Sequence, residues 1–263
     1  MSQKALITTA ITTFSLLLAT GSSQAATFSI AIDGGDAIFL AGRTDLSIPE
    51  ASLPWFGGLA RHGGPTPEEI QETLPPGISV MGGDVIKAAD PAVGGISFFN
   101  GFGAPLYGPS GNGLSGSDLT PFGGISGYLG PQGALVGVFL DDSIPNGAPP
   151  ARLDFTPGGL GTDFVSLSPG LGQIFYIGDG INSSSQFQEF IAPIGATRLF
   201  LGIPDGFGFV GAPGAYDDND GSYRVLLGVN ENPRESVPEP SMILGLIAAG
   251  AIAAGQSLQK KAA

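Results

Sequence analysis

The chain has no cysteine, one histidine, and only ten Lys and Arg against 23 Asp and Glu. Without cysteine there is no disulfide, no thiolate nucleophile and no thiolate metal site. With His62 as the single imidazole, multi-histidine zinc sites are excluded, and a Ser-His-Asp triad would have to use that residue. His62 lies in Arg61-His62-Gly63-Gly64, a loop-like stretch in which a solvated side chain is the simplest reading. No serine sits in a Gly-x-Ser-x-Gly elbow, since Gly113-Leu114-Ser115-Gly116-Ser117 lacks the closing glycine. The scarcity of basic residues argues against nucleic acid and anionic membrane surfaces as partners. The composition therefore points away from enzymes with recognisable catalytic motifs. A carboxylate pair of the glycosidase type remains open, with no pair of acids preferred by the sequence.

What is present begins at the two ends. Lys4 supplies a positive start, Ala5 to Ala19 is apolar but rich in threonine, and Ser23-Gln24-Ala25 offers small residues to a signal peptidase. This pattern predicts a secretory signal cleaved after Ala25. At the other end, Val237-Pro238-Glu239-Pro240-Ser241 precedes an apolar run from Met242 to Gly255, followed by Lys260-Lys261. As a helix that run spans ~21 Å against ~30 Å of hydrocarbon, so it threads a membrane only marginally. The lysine pair would stay on the cytoplasmic side. The Pro238-Glu239-Pro240 triplet, apolar helix and basic end, in that order, resemble the PEP-CTERM sorting signal of exopolysaccharide-producing bacteria. The resemblance implies cleavage near the triplet by an exosortase and delivery to the cell surface, outer envelope or extracellular matrix. Contact with the membrane would be transient, through the C-terminal helix alone. The mature part, about Ala26 to Pro240, would keep seven basic residues against all 23 acids.

Between the ends, 44 glycines and 22 prolines punctuate short apolar blocks. Blocks of aromatic and β-branched residues bounded by Gly, Pro, Asn and Asp predict an all-β domain. The expected strands are Thr27–Ile32, Ala37–Ala41, Ile78–Met81, Val85–Ala88, Gly95–Phe99, Ala134–Leu140, Asp163–Ser166, Gln173–Ile177, Phe187–Ile191, Arg198–Ile203 and Ser222–Val229. Only Pro67 to Leu74 reads as helical. Many strands joined by long glycine-rich loops predict a jelly-roll β-sandwich, flanked by an N-terminal signal helix and the C-terminal apolar helix. The expected division is a signal at 1–25, a β-rich extension at 26–74, a β-sandwich at 75–230, a linker at 231–236 and the sorting signal at 237–263. Trp55-Phe56 reads as core or as a sugar-stacking platform, and Asn182-Ser183-Ser184 as an ordinary loop.

The most distinctive polar run is Asp217-Asp218-Asn219-Asp220-Gly221. Crowded carboxylates repel one another unless water or a cation offsets the charge, so the run predicts either a hard-cation site or a solvated turn. An EF-hand frame fails: it would place Tyr216 and Leu227 at the first and twelfth ligand positions.

A wider pattern surrounds the run. Glu189 to Asp205 and Pro213 to Val225, with Gly83-Asp84-Val85-Ile86, Tyr107-Gly108-Pro109 and Gly133-Ala134-Leu135-Val136 upstream in order, resemble the PA-IL-type galactophilic lectins of bacteria. Those are small jelly rolls in which one calcium chelates sugar hydroxyls. The resemblance implies a calcium held by the side chains of Asp205, Asp218 and Asn219 and by the backbone carbonyls of Tyr107 and Ala215. The ligand-binding positions it implies are Tyr107, Pro109, Asp205, Asp218 and Asn219. The lectins follow Tyr-Gly-Pro with a His-Pro-Asp-Gln stretch, whereas here Asn112 to Phe122 has no histidine. The expectation is a non-enzymatic exported domain that binds calcium and extracellular polysaccharide. A structural matrix protein with a purely stabilising calcium is the alternative.

Overall fold

The computed structural model describes residues 25–46, 72–98 and 106–234. The expectations for the signal segment before Ala25, for Trp55, Phe56 and His62, and for Pro238, Glu239, Pro240 and the apolar tail lie outside these residues. The described chain is all-β. Its strands are β1 (Ala26–Asp33), β2 (Gly77–Ser79), β3 (Val85–Ala89), β4 (Gly94–Ser97), β5 (Ser115–Leu119), β6 (Tyr128–Pro131), β7 (Val136–Leu140), β8 (Ser166–Leu167), β9 (Ile174–Tyr176), β10 (Glu189–Ile191), β11 (Arg198–Gly202), β12 (Val210–Gly211) and β13 (Asp220–Val229). No helix among the described residues is long and apolar enough to cross a membrane. Of the segment expected to be helical, Glu72 to Leu74 are described, and Thr73 makes a parallel bridge with Asp36.

The longest strand, β13, organises the first sheet. Its burial alternates at Tyr223, Arg224 and Val225, as on a strand with one face on a core, and from Val225 to Val229 every residue is buried. One edge of β13 pairs antiparallel with all of β1, from Ala26↔Val229 to Asp33↔Ser222. Its other edge is shared by β3 (residues 226–229) and β4 (residues 220–223), and the sheet continues through β10 to β8. The segment that begins at Ala26 is thus hydrogen-bonded along its length to the strand that ends at Val229.

The second sheet runs β2-β11-β7-β9. Its β7, with β11 and β9 as neighbours, is buried at all five residues. Such a strand reads as a continuous apolar run rather than an alternation. A chain of rings joins the two sheets. Phe139 of β7 stacks on Phe175 of β9 at 5.1 Å, and Phe175 meets Phe190 of β10 in the first sheet at 5.2 Å. Phe164 completes the line edge-on to Phe190 at 6.0 Å.

A third, small sheet has the order β12-β5-β6. The apolar block Ala37–Ala41, expected as a strand, is instead a 3₁₀ turn over Ile38–Leu40 with all three residues buried. Its backbone bonds locally, with the Leu40 amide donating to the Ala37 carbonyl at 2.9 Å, and it is tied to the second sheet by the bridge Ala37↔Ile203, where the Ile38 amide donates to the Ile203 carbonyl at 3.3 Å.

Candidate cation and ligand site

The site forms where β11 ends. Pro204 cannot donate to a ladder, so the strand stops and the chain leaves the sheet at Asp205. The loop from Asp205 to Ala215 is closed at its neck by the bridge Gly206↔Pro213 and by the Gly214 amide, which donates to the Asp205 carbonyl at 3.1 Å. The chain then makes a 3₁₀ turn over Tyr216–Asp218 and enters β13 at Asp220.

Tyr216 is the post on which this turn stands. Its ring is fully buried, its hydroxyl donates to the Ile203 carbonyl at 2.6 Å, and it accepts from the Asp205 amide at 3.2 Å. Burial, and then the nearby Asp205 charge, push the Tyr216 phenol well above its ordinary range, so it stays a neutral donor. Both ends of the Asp205 loop are thereby tied to one side chain.

Asp205 is 3 % exposed. Its Oδ1 accepts from the Gly206 amide at 2.7 Å and its Oδ2 from Asn219 Nδ2 at 2.8 Å. The same Asn219 nitrogen donates to the Gly34 carbonyl at 3.0 Å, so one buried amide clamps the end of β1, the Asp205 loop and the start of β13 together. Gly34 is needed for this approach, because a Cβ there would lie 2.9 Å from Asn219 Cβ. Asn219 Oδ1 is buried without a hydrogen-bond partner.

A second buried carboxylate stands behind Tyr216. Asp36 accepts from the Asp33 amide and the Thr73 hydroxyl, both at 2.8 Å. Desolvation dominates over these bonds and raises its pKa to about 6. Among the described residues, no group of three or more His, Cys, Asp or Glu is disposed to hold a metal ion. Any cation shell here has to recruit amide and carbonyl oxygens.

A pocket of about 210 Å³ opens over this framework. Its lining includes Asp205, Ala215 and Asp218 together with three aromatic residues, Phe98, Phe207 and Phe209. Three of the five expected metal positions therefore share one pocket, and the fourth, Asn219, holds Asp205 from behind. Tyr107 and Pro109 lie off this lining. The Tyr107 carbonyl accepts from the Ile96 amide at 2.9 Å, while its ring stacks at 5.9 Å on Phe98. Pro109 is buried, with its carbonyl accepting from the Leu135 amide at 2.8 Å. Asn182 accepts from the amides of Ser184 and Gln186 at 3.0 Å, as a turn-forming asparagine does.

Sequence reasoning missed Gly34, Tyr216 and the aromatic residues of the lining. The signal for two of these is Asp205-Gly206-Phe207-Gly208-Phe209, two aromatics interleaved with glycines beside a candidate ligand. Gly34 is separated from its partner by 185 residues, and nothing local marks it. No protein family, curated protein or solved structure matches the chain.

Proposed function

We propose that this is an exported surface or matrix protein whose jelly-roll β-sandwich binds carbohydrate with the help of calcium at the Asp205 pocket. The observation that carries the reading is the convergence of Asp205, Ala215 and Asp218 on one pocket, with the Asn219 amide against Asp205. Two carboxylates, a carbonyl and an amide oxygen are the hard donors that calcium takes in shells of six to eight. Asn219 would enter such a shell through Oδ1, which is buried without a hydrogen-bond partner, while its Nδ2 keeps its bonds to Asp205 and Gly34. The Tyr107 carbonyl, engaged by Ile96, is left out of the proposed shell. When bound, calcium would offer open positions to vicinal hydroxyls; the chain's own part is to hold Asp205 rigid through Gly206, Asn219 and Tyr216. Export by the Ala5–Ala25 signal and sorting by the PEP-CTERM-like tail, through signal peptidase and exosortase, would place the domain among extracellular polysaccharides.

A second reading, a structural protein with a stabilising calcium, is favoured by the clamp from Gly34 to Asp205 and Asn219, which an ion would tighten without any sugar.

Thermal melting of the purified protein across a calcium titration tests both. Saturation at about 100 times Kd adds about 2.7 kcal/mol. For a domain of this size that is a rise of about 5–10 °C. The rise should vanish in the double substitution Asp205→Asn, Asp218→Asn. Unchanged melting up to ~10 mM calcium, above the roughly 10⁻⁴–10⁻³ M range of extracellular sites, would remove the cation from the protein.

A further inference from the structure

Asn146 and Gly147 lie in the loop that follows β7, and both are exposed. We infer that Asn146 is a site of spontaneous covalent modification, at which the side-chain amide is lost through a succinimide to give isoaspartate and aspartate. The reaction needs water alone as co-reactant and is independent of the calcium reading above.

The loop is held on both sides of this pair but not at it. Before it, Arg198 Nη2 donates to the Ser143 carbonyl and the Gly124 amide to the Pro145 carbonyl, both at 2.8 Å. After it, Gln173 Nε2 donates to the Ala151 carbonyl at 2.7 Å. Neither the Asn146 side chain nor the Gly147 amide makes a hydrogen bond among the described residues. A Cβ on Gly147 would meet nothing within 4 Å, so the space around the pair is open. Asn112 is also followed by a glycine, Gly113, but its side chain is held at both ends. Its Nδ2 donates to Gln132 Oε1 at 3.1 Å, and its Oδ1 accepts from the Leu114 amide at 2.9 Å. The third such pair, Asn100-Gly101, lies outside the described residues.

Hydroxide takes the proton of the Gly147 amide, and the freed nitrogen pair attacks Cγ of Asn146. A bond forms between that nitrogen and Cγ, the Cγ–Nδ2 bond breaks, and Nδ2 leaves as ammonia with a proton from water. The five-membered succinimide then adds water at one of its two carbonyls. Opening at the backbone carbonyl leaves the chain running through Cγ, as isoaspartate; opening at Cγ leaves ordinary aspartate. Glycine in the second position speeds the ring closure, because no Cβ crowds the attacking nitrogen and the backbone turns freely. At Asn112 the same attack must first break two hydrogen bonds, which slows it roughly tenfold or more. Either product at position 146 adds a carboxylate to the lining of a cavity of about 430 Å³ that already holds Asp141.

Peptide mapping by mass spectrometry tests this on the purified protein, incubated at mildly alkaline pH and physiological temperature in heavy-oxygen water. Fragmentation that separates isoaspartate from aspartate reads the products. The expected result is conversion at position 146 with isoaspartate among the products and one solvent oxygen gained. Conversion at position 112 should be slower by roughly tenfold or more in the folded chain. In concentrated urea the two rates should converge, because only the fold separates them. Gly147→Ala should slow conversion at position 146 roughly tenfold with wild-type melting, since the added Cβ has room in the fold but crowds the attack. Equal rates at the two positions in the folded chain, aspartate without isoaspartate, or an unchanged rate in Gly147→Ala overturns the inference. So does a folded chain that is inert at position 146 while the urea-unfolded chain converts there.

Discussion

Replacing Asn219 with alanine removes a clamp that joins residues 185 positions apart, and its cost follows from the geometry. The bond from Nδ2 to the Asp205 carboxylate is charge-assisted, at about 1.5–3 kcal/mol, and the bond to the Gly34 carbonyl is neutral, at about 0.5–1.5 kcal/mol. Losing the unsatisfied Oδ1 returns part of that, so a net loss of about 2–4 kcal/mol is expected. At 2–4 °C per kcal/mol the melting temperature should fall by roughly 4–16 °C. Calorimetry in calcium-free buffer measures the total. Hydrogen exchange locates it, because the Gly34 amide donates to the Gly221 carbonyl at 3.0 Å beside the lost clamp. That amide should lose more protection than amides of β1 near Phe28. Asn219→Asp is the informative companion. It sets a carboxylate against Asp205, so without calcium it should be less stable than the alanine variant, and calcium should reverse the order. A loss below ~0.5 kcal/mol for Asn219→Ala, the range of an ordinary surface change, would refute the clamp.

Asp36 gives a pH signature. Its folded pKa of about 6 lies above the ordinary carboxylate value, so the folded chain holds the proton more tightly than the unfolded chain. Its contribution is greatest below pH ~4, declines between pH ~4 and ~6, and is flat above that, by about 2–3 kcal/mol in all. Urea denaturation across pH 4–7.5 should show this slope reduced in Asp36→Asn; a parallel curve would exclude Asp36 as its source. Tyr216→Phe should cost about 1–3 kcal/mol by stripping a buried donor and acceptor from Ile203 and Asp205, and should weaken calcium binding with it. Full stability together with wild-type calcium affinity would remove Tyr216 as the post. Phe139→Ala should cost about 3–5 kcal/mol by opening the ring line between the sheets, without changing the calcium response of whatever fraction stays folded. Denaturant midpoints read the first effect and calcium titration the second.

The strands that could be read in advance are those whose side chains alternate or run apolar, such as β7, β11 and β13. β5 and β6 were missed for a physical reason. Ser115–Leu119 has little apolar content, and its strand pairs on one edge with β12 and on the other with β6, with Ser117 and Leu119 buried. Its signal lies in its neighbours. The opposite error occurred at Ala37–Ala41, where an apolar block met no partner ladder and became a buried 3₁₀ turn.

The glycine-rich composition sits near that of disordered chains, yet here glycine serves close approach. A Cβ on Gly180 would lie 2.2 Å from the Ala88 carbonyl, and Gly180 also takes a left-handed φ of 77°. Composition could count such residues but not show what each one faces.

By itself, the sequence determined that the described residues are all-β, because apolar blocks of strand length between turn residues dominate them. It also excluded thiol and multi-histidine chemistry, and it marked Asp205 and the run from Asp217 to Gly221 as the places where oxygen donors concentrate. Only the tertiary structure decided that Asp205, Ala215 and Asp218 share a pocket while the Tyr107 carbonyl is engaged by Ile96. It alone brought Gly34 to Asn219. These are pairings across long stretches of chain, fixed by strand register and ring packing, and no local pattern of residues carries that information.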